Sequence, residues 1–322
     1  MQESASDWGA SGAAALPPTV WPTVLARRQP ATVVSTSASD QTGWGGECVL
    51  LEGNMPAVFS FSKYEGLGND FIVVEVDRED DLPSPRAARL CDRHFGIGAD
   101  GVLLILPARD GDCIRRMRVI NADGSLPEMC GNGVRCVALH VARARGMREG
   151  SVRIDTDAGA RSCSIEDTRH EGIVTVDMGV VRLVGERTIP VDHLNLTLTL
   201  ADAGNPHAVT FGKFARDEVE RLGPIIASHS DFPNGTNVGF ARIESDGIHL
   251  VVWERGAGIT LACGTGACAA VAAAAAKGLV PKSSRVSVRL PGGALSVRME
   301  DDGRATLRGP ARHVFSGVVT VD

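Results

Sequence analysis

Lysine is scarce in this chain: only Lys63, Lys213, Lys277 and Lys282 occur in 322 residues. None stands in a setting that suggests a Schiff base, so pyridoxal phosphate chemistry is not supported. There is no CxxC, no HExxH and no paired histidine cluster, which leaves no metal-ligand spacing. GxGxxG and P-loop spacings are missing too. The glycine-rich stretch from Gly66 to Asp70 reads as a loop that lets a substrate approach closely. With a net charge of −6 the chain has no basic footprint, so nucleic acid is excluded as a partner. The longest apolar run lies around Ala267–Ala276, far short of the roughly 18 residues a membrane span needs. The expectation is a soluble, cytoplasmic protein without metal or cofactor.

What the chain does contain is length and apolar content for real cores, with 43% hydrophobic and 22% charged residues. Eight cysteines (48, 91, 113, 130, 136, 163, 263 and 268) in a long chain with no evident signal peptide read as reduced thiols of a cytosolic enzyme.

Residues 1–54 are rich in Ser, Ala, Pro, Gly and Thr without a sustained period, and read as a disordered extension. Acidic residues and few arginines argue against a targeting peptide, and Met55 reads as the real start. From Val58 onward short alternating or apolar runs dominate, among them 71–76, 101–106, 117–120, 151–154, 173–176 and 194–200. The second half continues with 207–211, 237–243, 248–253, 285–290, 294–299 and 305–308.

Two helices stand out, and each opens at a Cys-Gly-x-Gly turn: Cys130-Gly131-Asn132-Gly133 and Cys263-Gly264-Thr265-Gly266. The first carries Val134, Val137, Ala138, Val141 and Ala142 at helical spacing, with Gly146 as its cap. The second is apolar from Ala267 to Ala276, hence buried on every side, and stops at Gly278. Small side chains let a sheet close tightly around such a helix. The expected fold is therefore α/β (α+β): two pseudo-symmetric domains, each a curved, antiparallel-rich sheet or open barrel around a central helix. We place the halves at 55–170 and 171–311, with about 312–322 a candidate final strand returning to the first.

A cysteine at a helix N-terminus meets unpaired N–H groups and the positive end of the macrodipole, so a thiolate is expected to be stabilised there. Two such cysteines suggest a pair of proton-transfer groups on opposite faces of one substrate, as inversion of a stereocentre requires. The amides of Gly131, Asn132, Gly264 and Thr265 are candidates to receive the developing enediolate charge. Cys91, Cys113, Cys136, Cys163 and Cys268 read as small buried residues.

The motifs Phe61-Ser-Lys-Tyr-Glu-Gly-Leu-Gly-Asn69-Asp70-Phe71, Gly96-Ile-Gly-Ala-Asp100-Gly101, Asn121-Ala-Asp-Gly and Cys130-Gly-Asn-Gly-Val-Arg135-Cys136 stand in the first half. Gly204-Asn205-Pro206-His207, Pro233-Asn-Gly-Thr-Asn237 and Trp253-Glu254-Arg255 running on to Cys263-Gly-Thr-Gly follow in the second. Over residues 58–322 this ordered set resembles diaminopimelate epimerase, a cofactor-independent amino-acid epimerase. The resemblance implies an isomerase that converts LL-diaminopimelate to the meso form, in lysine and peptidoglycan precursor biosynthesis, with the site between two domains. It implies Cys130 and Cys263 as the acid–base pair, and Asn69, Asn121, Asn205 and Asn237 binding the substrate's ammonium and carboxylate groups. Arg255 suits the distal carboxylate and Glu254 an ammonium, both lining one site only where their strand ends, at Gly256-Ala257-Gly258. His207 is an auxiliary candidate. A homodimer is suggested by the family alone. Gly101 departs from relatives with Gln after the aspartate.

Alternatives that keep the mechanism are epimerases of proline, hydroxyproline or histidine; Arg255 and the asparagines argue for a substrate with a second amino-acid end. A thiol redox protein with a Cys130–Cys263 disulfide gives those residues no role. A ligand-binding protein without catalysis would tolerate Cys130→Ser.

Overall fold

The computed structural model describes residues 57–127, 129–169 and 171–321; the extension read at 1–54 lies outside them. The first half runs β1 (Ala57–Gly66), β2 (Asn69–Glu75), α1 (Ser84–Cys91), β3 (Gly101–Leu106), β4 (Arg115–Asn121), α2 (Gly131–Ala144), β5 (Gly150–Asp155), β6 (Arg161–Ile165) and β7 (Gly172–Val180). The chain continues through β8 (Arg182–Val191), β9 (Leu194–Asp202), β10 (Pro206–Phe211), α3 (Arg216–Ala227), β11 (Asn237–Glu244), β12 (Gly247–Glu254) and the short β13 (Gly258–Ile259). It ends with α4 (Gly264–Ala276), β14 (Arg285–Leu290), β15 (Gly293–Met299) and β16 (Arg304–Val321).

The strand pairings repeat. From β1 to β7 neighbours pair antiparallel, parallel, antiparallel, parallel, antiparallel, antiparallel. From β9 to β16, leaving out β13, the same order recurs. The helices fall at matching places, α1 and α3 after the second strand of each unit, α2 and α4 after the fourth. This is the two-domain pseudo-symmetry expected from the twin cysteine turns.

The halves exchange their last segments. β16 pairs with β7 through residues 304–311 and then with β1 through residues 312–321, so that β1 to β7 and β16 form a closed ring around α2. Reciprocally β8, which follows β7 in the chain, pairs with β9 at the far edge of the second sheet. The sequence shows a clean run at 305–308 and a separate candidate strand at about 312–322; the structure joins the two into one 18-residue strand. Its later residues face solvent on one side and carry Arg312, His313 and Ser316, which break the apolar signal.

Both central helices are cores in themselves. α4 is buried from Gly264 through Ala275, and its alanines let β9 to β12 and β15 approach closely. α2 is buried from Gly131 through Leu139. Strand β3 is buried at every position because its two faces are both covered: Leu103 and Ile105 join the α2 core, Val102, Leu104 and Leu106 the core under α1. In the second half Val209 and Ala241 face the α4 core, Ala208, Val238 and Phe240 the core under α3. α1 and α3 do not stand out in the sequence because one is eight residues long and opens on prolines, and the other holds Gly223-Pro224 in its interior. Among the described residues no helix is long and apolar enough to cross a membrane.

Candidate active site

The cysteines sit where the sequence places them, each the N-cap of its helix. Cys130 caps α2, with its Sγ accepting the Gly133 amide at 3.3 Å; Cys263 caps α4, with its Sγ accepting the Gly266 amide at 3.4 Å. Backbone angles agree closely, φ −135° and ψ 99° against φ −126° and ψ 107°. The two helix starts are in contact: a Cβ on Gly131 would lie at van der Waals distance, 3.7 Å, from the Gly264 Cα, and one on Gly264 3.6 Å from the Gly131 Cα. The two helix N-termini therefore meet head to head. Their first-turn amides, at Gly131, Asn132, Gly264 and Thr265, have no intrahelical acceptor.

Strand register brings matched residues to this meeting point. Gly101 at the start of β3 faces Phe71 and Asn121; Asn237 at the start of β11 faces His207 and, one step past Val238–Trp253, Glu254. Asn69 and Asn205 lie two residues before Phe71 and His207, so they occupy equivalent positions at the entry to β2 and β10. A Cβ at Gly101 would meet the Ile120 carbonyl oxygen at 2.8 Å, which explains a glycine there in this chain.

Asn132 joins the halves. Its Nδ2 donates to Asn69 Oδ1 and to the Ala262 carbonyl, both at 3.0 Å, while its buried Oδ1 has no partner. Asn69 in turn donates to Asp100 Oδ2 at 2.7 Å, and Asp100 is bound by Arg93, which also holds Asp70. Lys63, buried, pairs with Asp70 on the other side. Asn121 donates to Ser125 Oγ at 2.9 Å. Asp100 was not picked out in the sequence as a site residue, although it lies within the quoted Gly-Ile-Gly-Ala-Asp motif.

In the second half both ends of the Asn237 amide are held by the backbone: its Nδ2 donates to the Pro206 carbonyl and its Oδ1 accepts the Arg255 amide. It fixes the end of β12, where Glu254 and Arg255 diverge as the turn at Gly256 and Gly258, both at positive φ, begins. Arg255 is exposed and its Nη1 donates to the Asn234 carbonyl at 2.6 Å. Glu254 is half-buried and accepts Thr260 Oγ1 at 2.6 Å. Asn205 is paired with His207, Oδ1 to Nε2 at 2.9 Å, rather than either residue touching a thiol. A cavity of ≈ 400 Å³ opens beside Asn205, His207, Asp202 and Thr236, with neither cysteine in its walls.

The electrostatics correct one expectation. Burial pushes the Cys130 thiol up to about 11 and raises Cys263 well above the ordinary thiol range, where Glu254 adds to the effect. The amides of Gly133 and Gly266 pull the other way and do not win. A helix terminus is worth little beside the desolvation of a thiolate. Glu254 is itself raised by burial, with Thr260 opposing. His207, 2% exposed, is pushed down to about 3 by desolvation and is neutral at working pH. The remaining described cysteines, Cys91, Cys113, Cys136, Cys163 and Cys268, are free and buried, as expected. Among the described residues no cluster of His, Cys, Asp and Glu has the arrangement to hold a metal.

Comparison with known proteins agrees with this architecture. The family model for diaminopimelate epimerase matches residues 61–184 and 199–314. The diaminopimelate epimerase of Gloeothece citriformis is 43% identical over 281 residues, 80% of this chain and 98% of that one. That of Synechocystis sp. is 44% identical over 282 residues, with the same shares. A crystal structure of a probable proline racemase from Agrobacterium radiobacter superposes with a TM-score of 0.66 at 18% identity, covering 82% of this chain and 93% of that one, which shows a common fold. The chain belongs to the diaminopimelate epimerase family.

Proposed function

We propose that the protein interconverts LL- and meso-diaminopimelate by a two-thiol acid–base mechanism, with Cys130 and Cys263 on opposite faces of one α-carbon. The observation that carries this is the head-to-head meeting of two cysteine-capped helices at Gly131 and Gly264. One cysteine, as thiolate, takes the α-proton; the other, as thiol, returns a proton from the far side, and the direction of reaction exchanges the roles. Their ionisation is a property of the pair.

Removing an α-proton without an electron sink requires donors aimed at the developing enediolate, in a site closed to water. The amides of Gly131, Asn132, Gly264 and Thr265 suit that task. Asn132 Oδ1, buried and unpartnered, suits a substrate ammonium. Asn69, Asn121, Asn205 and Asn237 with Glu254 and Arg255 are proposed to bind the remaining amino and carboxyl groups, and the bond from the Arg255 amide to Asn237 supports a role of Asn237 in setting Arg255 for the distal carboxylate. Neutral His207 is proposed to orient Asn205. No cofactor enters this chemistry. The units proposed for the active enzyme are residues 55–180 with the strand near 312–322, and 181–311, the boundary lying after 170 because β7 (Gly172–Val180) pairs with β6 and β16 in the ring around α2.

The test is conversion of LL-diaminopimelate by the reduced protein, followed by chiral chromatography, with Cys130→Ser and Cys263→Ser alongside. Meso product from the parent chain and a loss of about 10³-fold or more in each variant, in line with the loss of a general acid or base, is expected. Retention of activity by either variant contradicts the two-thiol reading.

A further inference from the structure

Asn69 at the entry to β2 and Asn205 at the entry to β10 hold equivalent places in the two halves, yet their side-chain amides are fixed in opposite senses. Asn69 gives its Nδ2 to Asp100 Oδ2 at 2.7 Å and turns its Oδ1 to Asn132. Asn205 has its Oδ1 engaged instead, by His207 Nε2 at 2.9 Å. Strand register shows where the difference lies. Phe71 pairs with Gly101 in the first half and His207 with Asn237 in the second, so Asp100 and Thr236, one residue before each partner, occupy the same place. The first half puts a carboxylate there and the second a hydroxyl.

The sense of a side-chain amide is decided by groups that can play one role only. A carboxylate accepts, and Asp100 does so three times: from Asn69 Nδ2, from the Asp70 amide on the same oxygen at 3.1 Å, and from Arg93 Nη2 on the other oxygen at 2.8 Å. Asn69 must therefore meet it with nitrogen and leave its own oxygen for Asn132. The Ala262 carbonyl, from the other half and also an acceptor only, draws the same Asn132 Nδ2 at 3.0 Å. Both hydrogens of that nitrogen are thereby used. Asn132, 3% exposed, is left with its Oδ1 buried and without a partner. The oxygen lies beside the first residue of α4, since a Cβ on Gly264 would stand 3.8 Å from it. A buried acceptor is costly until a donor reaches it.

We propose that Asp100 is a positioning residue that sets the sense of two side-chain amides in series, Asn69 and then Asn132, so that the junction of α2 and α4 offers a buried acceptor to the substrate's ammonium group. The identity of the ligand rests on the function proposed above; the sense of the amides does not, because it is fixed in the ligand-free protein. Helix N-termini present donors, which suit a carboxylate. The series from Asp100 adds a group of the opposite polarity at the same junction, as recognition of an amino acid requires.

The experiment is hydrogen exchange at asparagine side-chain amides of the whole, ligand-free protein, carrying isotope-labelled asparagine and followed by NMR in deuterated water. In the parent chain the Asn132 amide is expected to exchange far more slowly than that of exposed Asn195. Asp100→Ala should speed exchange at Asn132 about tenfold, the loss of one hydrogen bond, with a circular dichroism spectrum like the parent's. Asp100→Asn keeps an oxygen for Asn69 and the Asp70 amide, while Arg93 stays held by Asp70 through both Nη atoms, and should restore most of the protection. KM for LL-diaminopimelate should follow the same order, with kcat changing less. An unmoved rate in a folded Asp100→Ala, or equal acceleration in the Ala and Asn variants, overturns the proposal, and faster exchange with KM unmoved overturns the ammonium as ligand. Where Asp100→Ala does not fold, the parent and Asp100→Asn decide: an Asn132 amide exchanging as fast as that of Asn195 in either overturns it. Failure of the two-thiol reading appears separately, as no epimerisation by a parent chain whose Asn132 amide is protected.

Discussion

Gly131 and Gly264 face each other so closely that a methyl on either would touch the other's α-carbon, at 3.7 and 3.6 Å. Gly131→Ala also drives a methyl to 3.1 Å from Met178 Cε. Overpacking of this kind costs about 1–3 kcal/mol, and a displacement of about 1 Å at a reacting centre costs on the order of 10² in rate. The expected outcome is a folded variant with kcat reduced about a hundredfold, measured by steady-state kinetics beside a thermal melt. Unchanged kcat would show that the helix ends are not under positional constraint.

Asp100 is expected to govern binding rather than chemistry. It accepts Asn69 Nδ2 at 2.7 Å and the Asp70 amide at 3.1 Å, and Arg93 ties it to Asp70. Asp100→Ala frees Asn69, one of the two partners of Asn132 Nδ2. We expect KM to rise about tenfold, the loss of about 1.4 kcal/mol of binding, with a smaller change in kcat. An unchanged KM would remove Asn69 from the substrate site.

His207 makes stability depend on acid. Its pKa falls from 6.5 to about 3 on folding because burial disfavours the charged ring. Between those values the unfolded chain binds a proton that the folded chain refuses, so this contribution is complete above pH 6.5 and is lost as pH falls toward 3. The full effect is about 5 kcal/mol as an upper bound. His207→Gln should flatten urea-unfolding stability across that window relative to the parent. An identical pH slope would contradict the burial argument.

The thiols act at the opposite end of the scale. Burial moves Cys130 from 9.0 to about 11. At pH 8 its alkylation should be about a hundredfold slower than that of an unperturbed thiol. Over the same interval the folded chain keeps a proton that the unfolded chain releases, so stability falls as pH rises from 9 to 11. Cys130 reacting at the rate of free cysteine would show that the helix N-terminus outweighs burial after all.

The twin turns at Cys130 and Cys263 were legible because a helix start needs particular residues and the pattern occurs twice. The apolar run of α4 announced a helix enclosed by sheet, and the alternating runs announced most strands. β16 was read as two pieces, at 305–308 and about 312–322, because Arg312 and His313 interrupt the apolar signal where the strand passes from β7 to β1. α1 and α3 cover outer sheet faces with only a few apolar residues each, and proline obscures both. The thiol ionisation was misjudged because a helix end is local and visible in sequence, whereas desolvation depends on what the rest of the chain brings.

The most direct test of the central claim is proton NMR of LL-diaminopimelate with freshly reduced protein in deuterated water. The account predicts meso product carrying deuterium at one α-carbon, while unreacted substrate initially keeps its hydrogen, because separate thiols remove and return the proton. Deuterium entering LL-diaminopimelate as fast as product forms would mean one group serving a single face. Absence of both exchange and product would contradict the assignment of this substrate.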